Sequence, residues 1–156
     1  MNGEEKTKSF ATNRGARYYY EVLDTYETGI SLQGFEVKSI RSAKVQIKEA
    51  YAAFEKGELW LLNCHITPWS HHTHEALTPI DPTRKRKLLM HALELRRLKS
   101  RVDEKGLTLV PLRLYQKGRK IKVELALCKG KKVFDKRESI KKREMEREKA
   151  VENKYR

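Results

Sequence analysis

Ile121, Val123, Leu125 and Leu127 alternate with Lys120, Lys122 and Glu124, a period of two that fits a strand with one packed face and one wet face and fits no helix. TLVPLRLYQ precedes them across a turn at Lys117-Gly118, so the two runs read as an antiparallel hairpin. A second hairpin is written in AYAAFEKGELWLLNCHI, two apolar strands around Lys56-Gly57, where glycine supplies the positive φ of a tight turn. YYYEVLDTYETG reads as a strand ended by a turn at Gly29, and ISLQG as a short restart. EVKSIRSAKV is helical, with Val37 and Ile40 on one face and Lys38 and Arg41 at its edge or in solvent.

A long helix is expected from Asp81-Pro82, a capping residue followed by a proline that gives up no needed donor, to about Lys105. Leu88, Ala92, Leu95, Leu98 and Val102 form its apolar stripe, and Gly106 offers the left-handed stop. Short antiparallel strands interrupted by one long helix give a mainly β fold: an OB-like antiparallel barrel with flanking α-helices. A chain of 156 residues has room for one such core.

The charge balance is 35 − 21 = +14, which favours RNA, DNA or an anionic membrane as partner over a small neutral substrate. No apolar stretch approaches the roughly 20 residues a spanning helix needs, and MNGEEKTKSF has no apolar signal core, so a cytosolic protein is expected. Cys64 and Cys128 lack C-x-x-C spacing and sit in apolar strands, so both are expected as reduced thiols in the core or half-buried. From residue 129 to 156 there are twelve basic and six acidic residues, with Ile140, Met145, Ala150 and Val151 too widely spaced for a stripe. The expected organisation is a flexible N-terminus over 1–12, an OB-like core over 13–133, and a basic tail over 134–156 that is disordered when free and helical when bound.

TRKRK, from Thr83 to Lys87, would set four cations against the dipole of the expected helix start, an arrangement that suits phosphate binding better than stability. Gly130 with Lys131 and Lys132 lets a backbone approach and adds two point charges, but lacks the upstream glycine of a nucleotide-binding loop. His71, His72 and His74, near Cys64 and His65, have no metal-ligand spacing and read as loop residues in TPWSHHTHEALTPIDP. Asp24, Glu27, Glu36 and Asp135 are not matched to a nucleophile or a metal cluster, so neither an enzyme nor a cofactor is expected. Tyr18, Tyr19, Tyr20, Tyr26, Trp60 and Trp69 are able to stack on bases, but alternation makes about half of them core, and none is assigned to RNA.

NRGAR, YETGISLQGFEVKS, DPTRKRKLL, GLTLVPLRLY and KGKKVFDKR, in that order, resemble the small protein B (SmpB) family, the bacterial partner of transfer-messenger RNA, over essentially the whole chain. The resemblance implies an OB-like barrel with a flexible basic tail. It also implies binding to the tRNA-like domain of transfer-messenger RNA, delivery of that RNA to stalled ribosomes for trans-translation, and no small-molecule substrate. On the matching stretches the implied RNA-binding residues are Asn13, Arg14, Arg17, Glu27, Glu36, Lys38, Ser39, Lys85, Arg86, Lys87, Leu89, Gly130, Lys131 and Lys132, with Leu89 shaping the surface by packing. Phe134, Asp135, Lys136 and Arg137 match the ribosome-facing motif, and Lys141, Lys142, Arg143 and Arg147 fall on the tail implied to enter the empty mRNA channel and meet the decoding region of the small subunit. Phe134 stands where relatives often carry histidine, and Glu152 and Asn153 where some carry apolar residues. A general OB-type RNA-binding or ribosome-associated protein is the alternative that charge and fold alone leave open, and a nuclease using the histidine loop is a third.

Overall fold

The computed structural model describes residues 7–68, 80–130 and 133–154. Strand β1 (Thr7–Thr12) leads into a one-turn helix α1 (Ala16–Tyr19) and the long strand β2 (Tyr20–Ile30). Helix α2 (Gly34–Arg41) follows, then β3 (Val45–Gln46), the hairpin β4 (Tyr51–Glu55) and β5 (Glu58–Leu62), and β6 (His65–Ile66). The chain continues with β7 (Arg86–Leu89), α3 (Ala92–Lys105), the hairpin β8 (Thr108–Lys117) and β9 (Lys120–Gly130), and α4 (Val133–Lys154).

Strands run in the order β8-β4-β5-β7-β2-β9, and β9 pairs back onto β8, so the sheet closes into the expected antiparallel barrel. β1 adds to β8 from outside the ring, and β3 with β6 forms a separate two-stranded ribbon. Leu59, Leu61, Leu88, Leu109, Leu114, Val123, Leu125 and Leu127 point inward and are closed to solvent, with Ile40 of α2 and Leu98 of α3 packed on the same core. Burying one such side chain is worth about 1.5–3 kcal/mol, which is why the period-two pattern dictates the barrel wall.

Both hairpins form where glycine marks them. Lys56 and Gly57 hold φ of 52° and 79°, the pair of positive values a two-residue turn of the primed type demands. The second turn falls one residue later than expected, at Gly118-Arg119, because Lys117 pairs with Lys120. Gly106 ends α3 at φ 59°, as the sequence indicates.

Several expectations need correction. Residues 7–12, read as flexible, form β1 against β8. The first tyrosines belong to α1, and β2 runs through Gly29 instead of ending there, since Gly29 and Ile30 pair with Leu89 and Leu88. Asp81-Pro82 does not start the long helix: Asp81 closes a turn by accepting from the N–H and hydroxyl of Thr83, and residues 86–89 extend as β7. Leu88 therefore packs from a strand, and α3 begins only at Ala92. The wet face expected opposite the core on β9 is wet only in part, because Ala126 and Cys128 are buried under Ala16 of α1 together with Val110 and Leu112. Cys64 and Cys128 are both free thiols in the interior.

Residues Val133–Lys154 of the tail are helical as α4. Residues 140–150 are exposed all round, and α4 contacts α1, where the Arg143 guanidinium lies 5.5 Å from the Tyr18 ring centre. No described helix is long and apolar enough to cross a membrane.

Candidate nucleic-acid interface

β2 carries Glu27 outward and Gly29 beside the end of β7, and between them, α2, α3 and the β8–β9 turn opens a groove of about 990 Å³. Arg41, Arg119, Lys120 and Lys122 line it with Glu27, and Leu89, Ile30, Leu32 and Met90 give it an apolar wall. Leu89 is half exposed although its strand neighbour Leu88 is buried, as alternation requires. A Cβ at Gly29 would sit 3.3 Å from the Leu89 Cβ, so glycine leaves Leu89 its place at the rim. Cations to hold a backbone, an apolar shelf and a carboxylate at Glu27 able to accept from a base or ribose, with Glu94 of α3 as a second acid on the lining, make a surface suited to unpaired RNA.

Glu27 is not loose. The Tyr115 hydroxyl donates to its Oε2, and Lys117 Nζ lies 3.4 Å and 3.5 Å from its two oxygens. Donation from Tyr115, aided by Lys117 and Lys122, holds the carboxyl below its usual range despite partial burial. Tyr115 moves the other way: burial, and then the neighbouring carboxylate, push its phenol up, so it stays a neutral donor.

The other expected residues fall in three places. Asn13, Arg14 and Arg17 surround α1, and Gly130, paired with Tyr20, brings the end of β9 beside them. Asn13 turns inward, its amide donating to the Pro111 carbonyl at 3.3 Å and its backbone N–H to Leu112 at 2.7 Å. Arg14 and Arg17 are exposed. Just before β7, Lys85 pairs with Glu55 at 2.9 Å and lies 4.8 Å over the Trp60 ring, while Lys87 on the outer face of β7 pairs with Glu58 at 3.0 Å. Both lysines are thus matched by acids. Lys38 is exposed on α2.

Glu36, Ser39 and Arg86 are corrected from surface contacts to interior ones. All three are buried. Arg86 donates to Glu36 at 2.6 Å and to the carbonyls of Cys64 and Pro82 at 2.6 Å and 3.0 Å, Arg84 adds a second guanidinium on Glu36, and Ser39 donates to the Thr67 carbonyl at 2.6 Å. Burial raises the Glu36 carboxyl, but Arg84, the Gln33 N–H and Arg86 outweigh it and hold the group ionised below its ordinary value. Lys131, Lys132, His71, His72, His74 and Trp69 lie outside the described residues. Phe134, Asp135, Lys136 and Arg137 have their backbone in α4, and Lys141, Lys142, Arg143 and Arg147 are exposed farther along it. No group of three or more ligating side chains able to hold a metal occurs among the described residues.

Arg41, Arg119, Tyr115 and Lys117 were not marked by the sequence as site residues. Alternation did place Lys120 and Lys122 on a wet face, but only the closed ring sets that face beside Leu89.

The SmpB protein family model matches residues 10–155. An SsrA-binding protein of Synechocystis sp. is 50% identical over 147 residues, 94% of each chain. Another, from Desulforudis audaxviator, is 50% identical over 147 residues, 92% of each chain. A solved chain from work titled "tmRNA-SmpB: a journey to the center of the bacterial ribosome" superposes with a TM-score of 0.63 at 49% identity, covering 83% of this chain and 92% of that one.

Proposed function

Since the chain belongs to the SmpB family, we propose that it is a non-enzymatic adaptor that binds the tRNA-like domain of transfer-messenger RNA and carries it to stalled ribosomes for trans-translation. The observation that carries this reading is the family match, which runs unbroken from residue 10 to residue 155 through barrel and tail alike. The groove supports it with four cations beside a carboxylate and an apolar shelf.

In this reading the groove takes an unpaired part of the RNA, with Lys131 and Lys132 adding backbone contacts at the end of β9. The tail, coil in the free protein and α4 when engaged, enters the mRNA channel of the small subunit only when no message fills it. Exposure of residues 140–150 supports that role, because a helix with no buried stripe gains little from ordering alone. Asp135, Lys136 and Arg137 would then meet the decoding region, with Phe134 stacking on a ribosomal base.

Two measurements test this. The protein is expected to bind transfer-messenger RNA well above unrelated structured RNAs at physiological salt, and equal affinity would reduce it to a general RNA binder. A chain ended after Arg137 is expected to keep RNA binding and lose peptide tagging on stalled ribosomes; normal tagging would remove the tail from channel sensing.

A further inference from the structure

Glu27 is an anion among the cations of the groove, and its Oε2 accepts from the hydroxyl of Tyr115, which stands on the outer face of β8 opposite Lys122 and between Arg113 and Lys117. A carboxylate repels phosphate, so its presence in a phosphate-binding groove has to be explained by what it accepts. Tyr115 is only 3% exposed, and the Arg113 guanidinium stacks 4.1 Å above its ring while bonding Glu124 at 2.7 Å. The hydroxyl is therefore fixed from behind, and Lys117 reaches the same carboxylate from the next outward position. Tyr115 and Lys117 use some of the roughly four lone-pair sites of the carboxylate and leave the others open to the groove.

We propose that Tyr115 is a positioning residue: with Arg113 packed on its ring, it fixes the Glu27 carboxylate as an acceptor that selects an N–H or O–H donor of an unpaired nucleotide and turns phosphate away. The proposal rests on the RNA-binding reading of the groove and adds the chemistry it reads. Cations alone would hold any RNA strand; the fixed acceptor makes the groove discriminate. The two sources of such a donor are an exocyclic amino group of a base and a ribose 2′-hydroxyl.

The test uses the full-length protein and the tRNA-like domain of transfer-messenger RNA as probe. The RNA carries, at random single positions, inosine for guanosine, purine riboside for adenosine, or a 2′-deoxy sugar, and bound and unbound pools are compared. Wild type is expected to show a position where one of these analogues interferes; an amino-deletion signal assigns the donor to a base and a deoxy signal to the ribose. In Glu27→Gln and Tyr115→Phe that signal fades, and affinity falls about tenfold for Y115F, the scale of one hydrogen bond to a charged group, with the salt slope unchanged. Carboxyl titration followed by NMR is expected to show Glu27 moving up in Y115F. Affinity and interference unchanged in Y115F but lost in E27Q would overturn the role of Tyr115. Loss in neither variant would instead remove Glu27 from the RNA site. An interference pattern in wild type that Glu27 does not influence would overturn the selection of a donor. If Y115F melts early, 3-fluorotyrosine at position 115 makes the same test with the ring kept: a more acidic hydroxyl should lower the Glu27 titration further, and an unmoved titration counts against the proposal.

Discussion

Glu36 on α2 and Arg86 on β7 form an ion pair with both side chains shut away from solvent, 50 residues apart in the chain. The pair closes the helix onto the barrel wall, and Arg86 also donates to the backbone carbonyls of Cys64 and Pro82. Arg86→Met leaves Glu36 buried with part of its partnership gone, and is expected to cost about 3–5 kcal/mol. The double change Glu36→Gln with Arg86→Met should cost less than the two single changes summed. Urea unfolding of the four proteins checks this, and an additive cycle would show the pair to be uncoupled.

The same pair sets an acid limit. The folded-state Glu36 carboxyl lies below its unfolded value, so its contribution is fully present above the unfolded pKa and fades as pH falls through the folded one. Stability of the wild type should thus drop below about pH 4, the ordinary glutamate range, and E36Q should show a flatter acid limb. Unfolding free energies between neutral and strongly acid pH read it directly.

Leu89 separates binding from folding. Its half-exposed side chain lies on the groove and contributes little to the core, so Leu89→Ala should change stability by no more than about 0.5 kcal/mol. RNA affinity should fall nonetheless, with the salt slope intact because no charge is lost. A melting curve and a binding isotherm on the same sample decide it.

Lys131 and Lys132 follow Gly130 at the open end of β9. If both touch phosphate, their replacement by Ala should flatten the plot of log affinity against log salt by up to about 1.4 to 1.8, two contacts' worth. An unchanged slope would take both lysines out of the interface.

Cys64 and Cys128 should be silent to thiol reagents in the native state. Burial pushes each thiol up to about 11, so almost no thiolate exists at neutral pH, and neither is reachable. Modification by iodoacetamide should appear only with global unfolding.

What the sequence made legible was whatever a local period or a turn residue controls. The barrel class, both hairpins and the stop of α3 at Gly106 follow from alternation and from glycine. What escaped depended on pairing between distant segments. Arg86 reads as one of four basic neighbours, and only the approach of α2 brings Glu36 to it and takes it out of solvent. The charges of TRKRK hid a strand, because Leu88 fits an apolar stripe in either conformation. Ala126 continues the wet face of β9 by alternation until α1 covers it. In the site, Glu27 and Leu89 were legible through the family resemblance, whereas Arg41 and Arg119 join them only because the ring closes.

β2 joins the two ends of this molecule: Tyr20 pairs beside Gly130, where the tail departs, and Gly29 pairs beside Leu89, at the groove. Nine residue steps of extended chain cannot exceed about 30 Å, and hydrogen bonding to β9 for nearly its whole length keeps that span from stretching. β2 is therefore a ruler. Whatever is gripped at the groove and whatever the tail root touches are held a set distance apart, and inserting two residues into β2 would keep every side chain on its face while lengthening the gauge by nearly 7 Å.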